Sequence, residues 1–378
     1  MAQIINQLTG NSVLLLLSDV EFGGIAVQAR EQASYLGGKG ICRSLLLLNT
    51  NGVNLDDYNP CSDVISTEVV PSTLKQVSSP LRVYRLWKLF RNRPESIFHF
   101  HSFSQEYINW QAVLAARLAK KSVVVTLHHT VRWTRDPFDP TFVFQRLAWL
   151  LANRLVVTTR AGKVLVEQKI PTGKTEVVPC IIPNIVNPVT RDSARNALNV
   201  CNNDFLVVVV SRLVQSKGII DLVKTVLALS NHQPMRLLIA GDGHCRSELS
   251  ELVKDDHRIR LLGHVQDKNS VFAAADLFAL PSYEEGFGMV YAEAARHGVP
   301  SIASDLPQVR EVVVDGETGW LVPPGDVERL RTTIDWVFKH RDECLRRGEN
   351  AKSYCRRFDP DVVMARQILI YDDLLKAI

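Results

Sequence analysis

The chain has 378 residues, 46% apolar and 22% charged, with a formal net charge of +4. That length exceeds one ordinary hydrophobic core, and the composition is that of a soluble globular protein with two domains. The longest uncharged apolar runs, such as Val13 to Leu17 and Phe205 to Val210, are far too short for a spanning helix, and no cationic start with an apolar core announces a signal peptide.

Charge is unevenly spread. Residues 1–183 hold 20 basic against 13 acidic side chains, whereas the remainder holds 24 against 27. A basic first half points to an anionic surface or acceptor, although ordinary solvated charge also accounts for it. The seven cysteines (42, 61, 180, 201, 245, 344 and 355) have neither disulfide-scaffold nor metal-ligand spacing. They fit a reducing cytoplasm and are read as small buried apolar residues.

In chain order, Val13 to Ser18 is a buried strand. Gly23 and Gly24 follow at its C-terminal end, then a helical pattern from Ala26 to Leu36 and a second strand from Ile41 to Asn49. This βαβ start puts the glycine pair where open α/β sheets collect ligands, though a tight turn alone also explains it. Residues 51–80 are turn-rich. Leu81 to Arg93 is a helix with Arg82, Arg85, Lys88 and Arg91 at three-residue steps, either a wet surface or a contact for an anionic membrane or acceptor. Ile97 to Ser102 is a strand with His99 and His101 on one face. Ser122 to Leu127 is another, followed by His128. Histidines at strand ends converge on one crevice; each also fits a structural role, and His128 is the preferred functional candidate. No acidic partner sits at ligand spacing, so no metal is expected. Short strands at 155–159 and 176–179 precede three prolines between Pro179 and Pro188, which mark an interdomain linker.

The second half restarts with a strand from Phe205 to Val210, a loop bearing Arg212 and Lys217, and a helix from Ile219. An Arg fork and a Lys point charge beside a helix N-terminus suit a diphosphate. Strands at 236–240, 258–262, 276–281 and 300–303 alternate with helices at 270–275, 289–297 and 327–340, a second parallel, doubly wound sheet. Residues 315–326 read as a turn-rich edge, and a final amphipathic helix covers 361–377.

Within this half, Tyr283 to Ala295 is a strand-following turn and a helix start. Glu285 and Glu293 have seven residues between them, with Gly286, Phe287 and Gly288 directly after the first. If the helix opens near Gly288, Glu293 lies roughly 7–8 Å along its axis. The amides between would receive an anion and the two carboxylates the hydroxyls at its ends, the layout of a sugar nucleotide.

Taken together, Phe22-Gly-Gly-Ile25, Phe98-His-Phe-His-Ser102, Thr126-Leu-His128, Pro183-Asn184, Ser211 to Gly218, Ala240-Gly-Asp-Gly243, Glu285 to Glu293 and Glu311 to Gly319 resemble a retaining glycosyltransferase of family four. The resemblance covers nearly the whole chain. It implies an α/β protein of the GT-B fold: two facing Rossmann-like, doubly wound domains, acceptor-binding over 1–183 and nucleotide-sugar-binding over 184–360, with a C-terminal helix, 361–378, crossing back onto the first.

By that resemblance, Arg212 and Lys217 neutralise the leaving diphosphate. Phe287, Gly288 and Met289 lend backbone contacts, Glu285 touches the transferred sugar and Glu293 the ribose. Gly263 to Val265 lie near the base, Gly23 and Gly24 allow close approach to the donor, and His128 lies on the sugar's side. No cofactor or bound metal is implied, and no nucleophile is assigned. The implied partners are a nucleotide-sugar donor, a glycan or lipid-linked acceptor and an anionic membrane surface, with no nucleic acid. The implied location is cytoplasmic, peripheral at the inner membrane face. Ile185, where the family usually has Gly, and Asp305 to Glu311, which lacks the frequent Gly-Gly and Pro, depart from the pattern and bear on sugar identity. A nucleotide-sugar epimerase or hydrolase, and a non-catalytic regulatory subunit, are the alternatives.

Overall fold

The computed structural model describes residues 2–9, 13–17, 24–48, 66–69, 80–102, 110–129, 140–169, 171–229 and 234–377. The chain forms two compact units, Met1–Pro183 with Pro360–Ile378, and Asn184–Asp359.

The first unit contains β1 (Val13–Leu17), β2 (Cys42–Leu47), β3 (Ser66–Val69), β4 (Ile97–Ser102), β5 (Ser122–Leu127), β6 (Arg154–Val157) and β7 (Thr175–Val177). Between them run α1 (Ala2–Leu8), α2 (Gly24–Gly38), α3 (Pro80–Arg91), α4 (Trp110–Leu118), α5 (Pro140–Leu151) and α6 (Arg160–Lys169). All strand pairs are parallel, in the order β3-β2-β1-β4-β5-β6-β7. Helices on both faces explain why β1 reads as uninterrupted leucine rather than an alternating pattern. Strand periodicity then sorts its side chains. Val13, Leu15 and Leu17 enter the core under α2, and Leu14 and Leu16 enter the core under α3 and α4. In register, Leu15 and Leu17 pair with His99 and His101, and these with Val124 and Thr126, so both histidines fall on the α2 face.

The second unit contains β8 (Phe205–Val210), β9 (Met235–Ala240), β10 (Ile259–Gly263), β11 (Leu277–Leu280), β12 (Ser301–Ser304) and β13 (Gly319–Val322). Its helices are α7 (Arg191–Ala197), α8 (Ile219–Leu227), α9 (Arg246–Val253), α10 (Lys268–Ala274), α11 (Met289–Arg296), α12 (Val327–Lys339) and α13 (Arg341–Cys355). The sheet order is β10-β9-β8-β11-β12-β13, again all parallel. The last helix, α14 (Pro360–Lys376), packs against α1, α2 and β4 of the first unit, burying Met364, Ile368 and Tyr371 in the core under α2.

Two strands lie in stretches that read as turns, β3 within 51–80 and β13 within 315–326. Both are short strands at sheet edges, where pairing with one neighbour overrides weak local propensity. The structure also adds helices absent from the sequence reading, α1, α4, α5, α6, α7, α9 and α13. Among these, α4 is so apolar (Trp-Gln-Ala-Val-Leu-Ala-Ala-Arg-Leu) that it lacks a clear polar face. The expectation that every cysteine is buried fails at Cys201, which is exposed in a polar turn, and Cys61 lies outside the described residues.

Candidate functional site

In the second sheet, β8 and β11 are neighbours although the chain leaves β8 toward β9 and β10 on one side and returns to β11 on the other. This reversal is the switch point at which open α/β sheets leave a crevice beyond the strand C-termini. The loops leaving those two strands, 211–218 and 281–288, carry Arg212, Lys217, Glu285, Phe287 and Gly288. Behind them Asp276 braces the strand pair: one oxygen accepts from the buried Arg195 guanidinium at 2.7 Å and from the Leu206 amide at 2.7 Å.

Three contacts join the loops. Gly218 has φ +64° and lies so close to β11 that a Cβ there would stand 2.1 Å from the Pro281 carbonyl oxygen. The Tyr283 amide donates to the Ser216 carbonyl at 2.8 Å. Lys217 Nζ donates to Glu285 Oε1 at 2.7 Å, and Ser282 Oγ donates to the same oxygen at 2.9 Å. Glu285 is buried, so its charge is matched by one ammonium and one hydroxyl rather than by bulk water. Tyr283 reaches back through its hydroxyl to Asp221, in the first turn of α8, at 2.5 Å; that bond pushes the Tyr283 phenol upward. Neither Ser282, Tyr283 nor Asp221 stands out in the sequence, although Ser282 sits three residues before Glu285.

Helix α11 opens at Gly288, whose φ of +82° only glycine adopts without strain, and a Cβ there would meet the Tyr291 ring at 2.6 Å. No side chain caps this end. The amides of Met289 and Val290 therefore lack intrahelical acceptors, whereas that of Tyr291 donates to the Gly288 carbonyl at 3.1 Å. Phe287 turns inward instead and packs edge-on against Phe358, with ring centroids 5.2 Å apart, anchoring the turn. Glu293 is the fifth residue of the helix, and its Oε1 accepts from Lys268 Nζ at 2.6 Å.

The turn after β9 closes on the first loop. Gly241 and Gly243 press so tightly on the backbone of Ser211 and Leu213 that a Cβ would stand 1.8 and 2.4 Å from their carbonyl oxygens. Gly263 is buried at the end of β10 and its carbonyl accepts from the Gly241 amide at 2.7 Å; Val265 follows, half-buried. Arg212 is exposed beside Leu213, and its guanidinium makes no hydrogen bond or ion pair with the described residues.

In the first unit, His99, His101 and His128 form one buried group. His99 Nδ1 is 2.6 Å from the Tyr371 hydroxyl on α14, and its Nε2 is 2.7 Å from Thr126 Oγ1. His101 Nδ1 is 3.0 Å from His128 Nε2, with the two rings stacked at 5.3 Å and 23°. Burial pushes all three imidazoles down, His99 to about 3, His128 to about 4 and His101 well below its ordinary value, so all are neutral. Tyr371 stands 272 positions from His99, beyond the reach of any local pattern; only the return of α14 supplies it. Gly23 lies outside the described residues. Gly24 is the first residue of α2 and is exposed. Among the described residues no three His, Cys, Asp or Glu side chains gather as a metal site, and no helix is long and apolar enough to cross a membrane.

Two parallel, doubly wound sheets make this an α/β protein, and its solved structural neighbours have the GT-B fold. Solved structures with this fold include a glycosyltransferase from Rickettsia africae, at TM-score 0.82 and 20% identity over 97% of this chain and 99% of that one. Another is Anabaena Alr3699/HepE in complex with UDP and glucose, at TM-score 0.78 and 21% identity over 98% and 100%. The model for glycosyl transferases group 1 matches residues 190–354, and that for Glycosyltransferase Family 4 matches residues 22–183. The chain belongs to the family-four, group 1 glycosyltransferases.

Curated relatives include an exopolysaccharide phosphotransferase of Streptomyces coelicolor, 33% identical over 59% of this chain and 24% of the relative. The capsular polysaccharide biosynthesis glycosyltransferase CapM of Staphylococcus aureus is 28% identical over 46% and 48%. The matched region thus spans about half or less of these relatives' length.

Proposed function

We propose that the chain is a retaining, metal-independent glycosyltransferase. It moves a sugar from a nucleoside-diphosphate donor to a glycan or lipid-linked acceptor in polysaccharide or glycoconjugate synthesis. The observation that carries this is the Lys217–Glu285 pair at 2.7 Å, held at the switch point just before the helix that Gly288 opens. When the donor's bond to its sugar breaks, negative charge gathers on the leaving diphosphate. Lys217, Arg212 and the amides of Gly288 and Met289 stabilise that charge. As Lys217 turns toward phosphate, Glu285 is released to accept hydroxyls of the transferred sugar. Glu293 takes the ribose hydroxyls, Gly263 and Val265 flank the base, and His128 contacts the sugar. Attack on the donor's departing face within an ion pair retains the anomeric configuration without a protein nucleophile.

A thermal-shift panel of nucleotide sugars identifies the donor, because binding stabilises the folded state by mass action. With that donor, Lys217→Ala or Arg212→Ala lowers turnover by about two orders of magnitude or more in a folded protein. Near-normal turnover in both variants removes the leaving-group role. Inversion of the anomeric proton's NMR coupling in the product overturns the retaining assignment, and abolition of activity by chelators overturns metal independence. Donor breakdown or epimerisation without acceptor selects the epimerase or hydrolase instead; binding without turnover selects the regulatory subunit.

A second observation bears on location. Helices α3, α4 and α5 neighbour one another and together carry six cations (Arg82, Arg85, Lys88, Arg91, Arg117 and Arg146) and no acid, with Leu81, Tyr84, Leu118, Leu147 and Leu150 exposed. Apolar side chains among cations suit the headgroup layer of an anionic membrane, at its cytoplasmic face. Lys88→Glu with Arg91→Glu abolishes sedimentation with phosphatidylglycerol vesicles; sedimentation equal to wild type refutes membrane docking.

A further inference from the structure

Apart from the donor loops, the first unit has a partly open pocket, with about 20 Å³ of water-sized space, walled by Gln32, Gln367, His101, His128, Thr126 and Thr158, among others. That is room for one water-sized molecule. Four polar atoms on these residues have no hydrogen-bond partner among the described residues: Gln32 Oε1, Gln367 Nε2, His101 Nε2 and His128 Nδ1. Their residues are only 6%, 1%, 3% and 8% exposed. Buried polar atoms of this kind require a partner, so the pocket suits a small neutral hydroxyl, water in the free protein.

We infer that His101 and His128 share one hydrogen along the Nδ1···Nε2 line, and that His101 thereby sets which face, donor or acceptor, His128 presents. A neutral imidazole has one N–H and one bare nitrogen. With the shared hydrogen on His101 Nδ1, His128 must carry its own on Nδ1; with it on His128 Nε2, His101 must carry its own on Nε2. Both rings therefore adopt the same tautomer. Opposite tautomers would put two hydrogens, or two lone pairs, into a gap of 3.0 Å. His101 is thus a positioning residue for His128, and the inference rests on the proposed contact of His128 with the sugar.

The test uses the full chain labelled with ¹⁵N-histidine, its ring signals assigned by single His101→Gln and His128→Gln variants. Wild type shows both rings neutral and in one common tautomer from about pH 7.5 to about 5.5. Opposite tautomers, or either ring titrating in that range, overturn the inference. In His101→Phe, His128 exchanges between tautomers and kcat falls about tenfold or more, with the donor KM within about twofold. His101→Gln, which keeps a donor and an acceptor at that place, restores most of the rate. An unchanged His128 ring in His101→Phe also overturns the inference. Full turnover by His128→Ala refutes the sugar contact instead, while the tautomer pattern still reads the shared hydrogen.

Discussion

Substituting Gly218 by alanine tests the junction of the loops 211–218 and 281–288 directly. Two costs add. At φ +64° an alanine occupies the left-handed region, at about 1–2 kcal/mol. Its Cβ also falls 2.1 Å from the Pro281 carbonyl oxygen, well inside the 3.0 Å that real Cβ atoms observe. That oxygen belongs to backbone at the end of β11, so relief requires the loops to part, an overpacking cost of about 1–3 kcal/mol. A total near 3 kcal/mol lowers the melting point of a unit this size by roughly 6–12 °C. Gly316→Ala in the same unit is the matched control: φ is +77° but nothing lies within 4 Å, so only the backbone cost of about 1–2 kcal/mol applies. Denaturant unfolding of both variants, followed by amide exchange in β8 and β11, gives the difference. Gly218→Ala should also weaken the donor-induced thermal shift, which Gly316→Ala leaves intact. Equal destabilisation by the two substitutions would refute the close approach of Gly218 to Pro281, on which the proposed anion site depends.

Glu285→Gln keeps the shape beside Ser282 and removes the charge facing Lys217. Single-turnover kinetics should show a loss of about 10²-fold in a folded protein, and a wild-type rate would end the assigned role of this carboxylate. The three depressed histidines make the first unit acid-sensitive. Unfolded, each binds a proton near pH 6.5, but folded His99 and His128 resist until about 3 and about 4, so stability is lost as pH falls below 6.5. At pH 5 this approaches about 2 kcal/mol per histidine. Amide exchange in β4 and β5 should therefore accelerate from pH 7 to 5 more than in β8 and β9, after correction for intrinsic rates; equal change refutes the neutral cluster. Tyr371→Phe leaves a buried His99 nitrogen without its hydroxyl and should cost about 1–3 kcal/mol; an unchanged denaturation midpoint would show that the bond contributes nothing.

Much of the loop pair 211–218 and 281–288 is legible in the sequence because its signals are local. A glycine forced to positive φ, as at 218 and 288, constrains its own residue, and Lys217, Glu285 and Glu293 each sit in a strand–turn–helix context that periodicity reveals. The partners of those residues are not legible. Lys217 is 68 positions from Glu285, Lys268 is 25 from Glu293, and Asp221 is 62 from Tyr283.

From residues alone came the doubly wound α/β architecture, the family, and the facing of His99 and His101 to one side of β4, since period two in a strand needs no tertiary information. Tertiary structure alone decided which charges meet, that Lys217 is held by Glu285 while Arg212 stays in water, and that Tyr371 returns on the last helix to bond His99. The physical reason is range: backbone conformation and amphipathic period are settled over a few residues, whereas an ion pair or a shared hydrogen depends on strand order and crossovers that bring distant segments together.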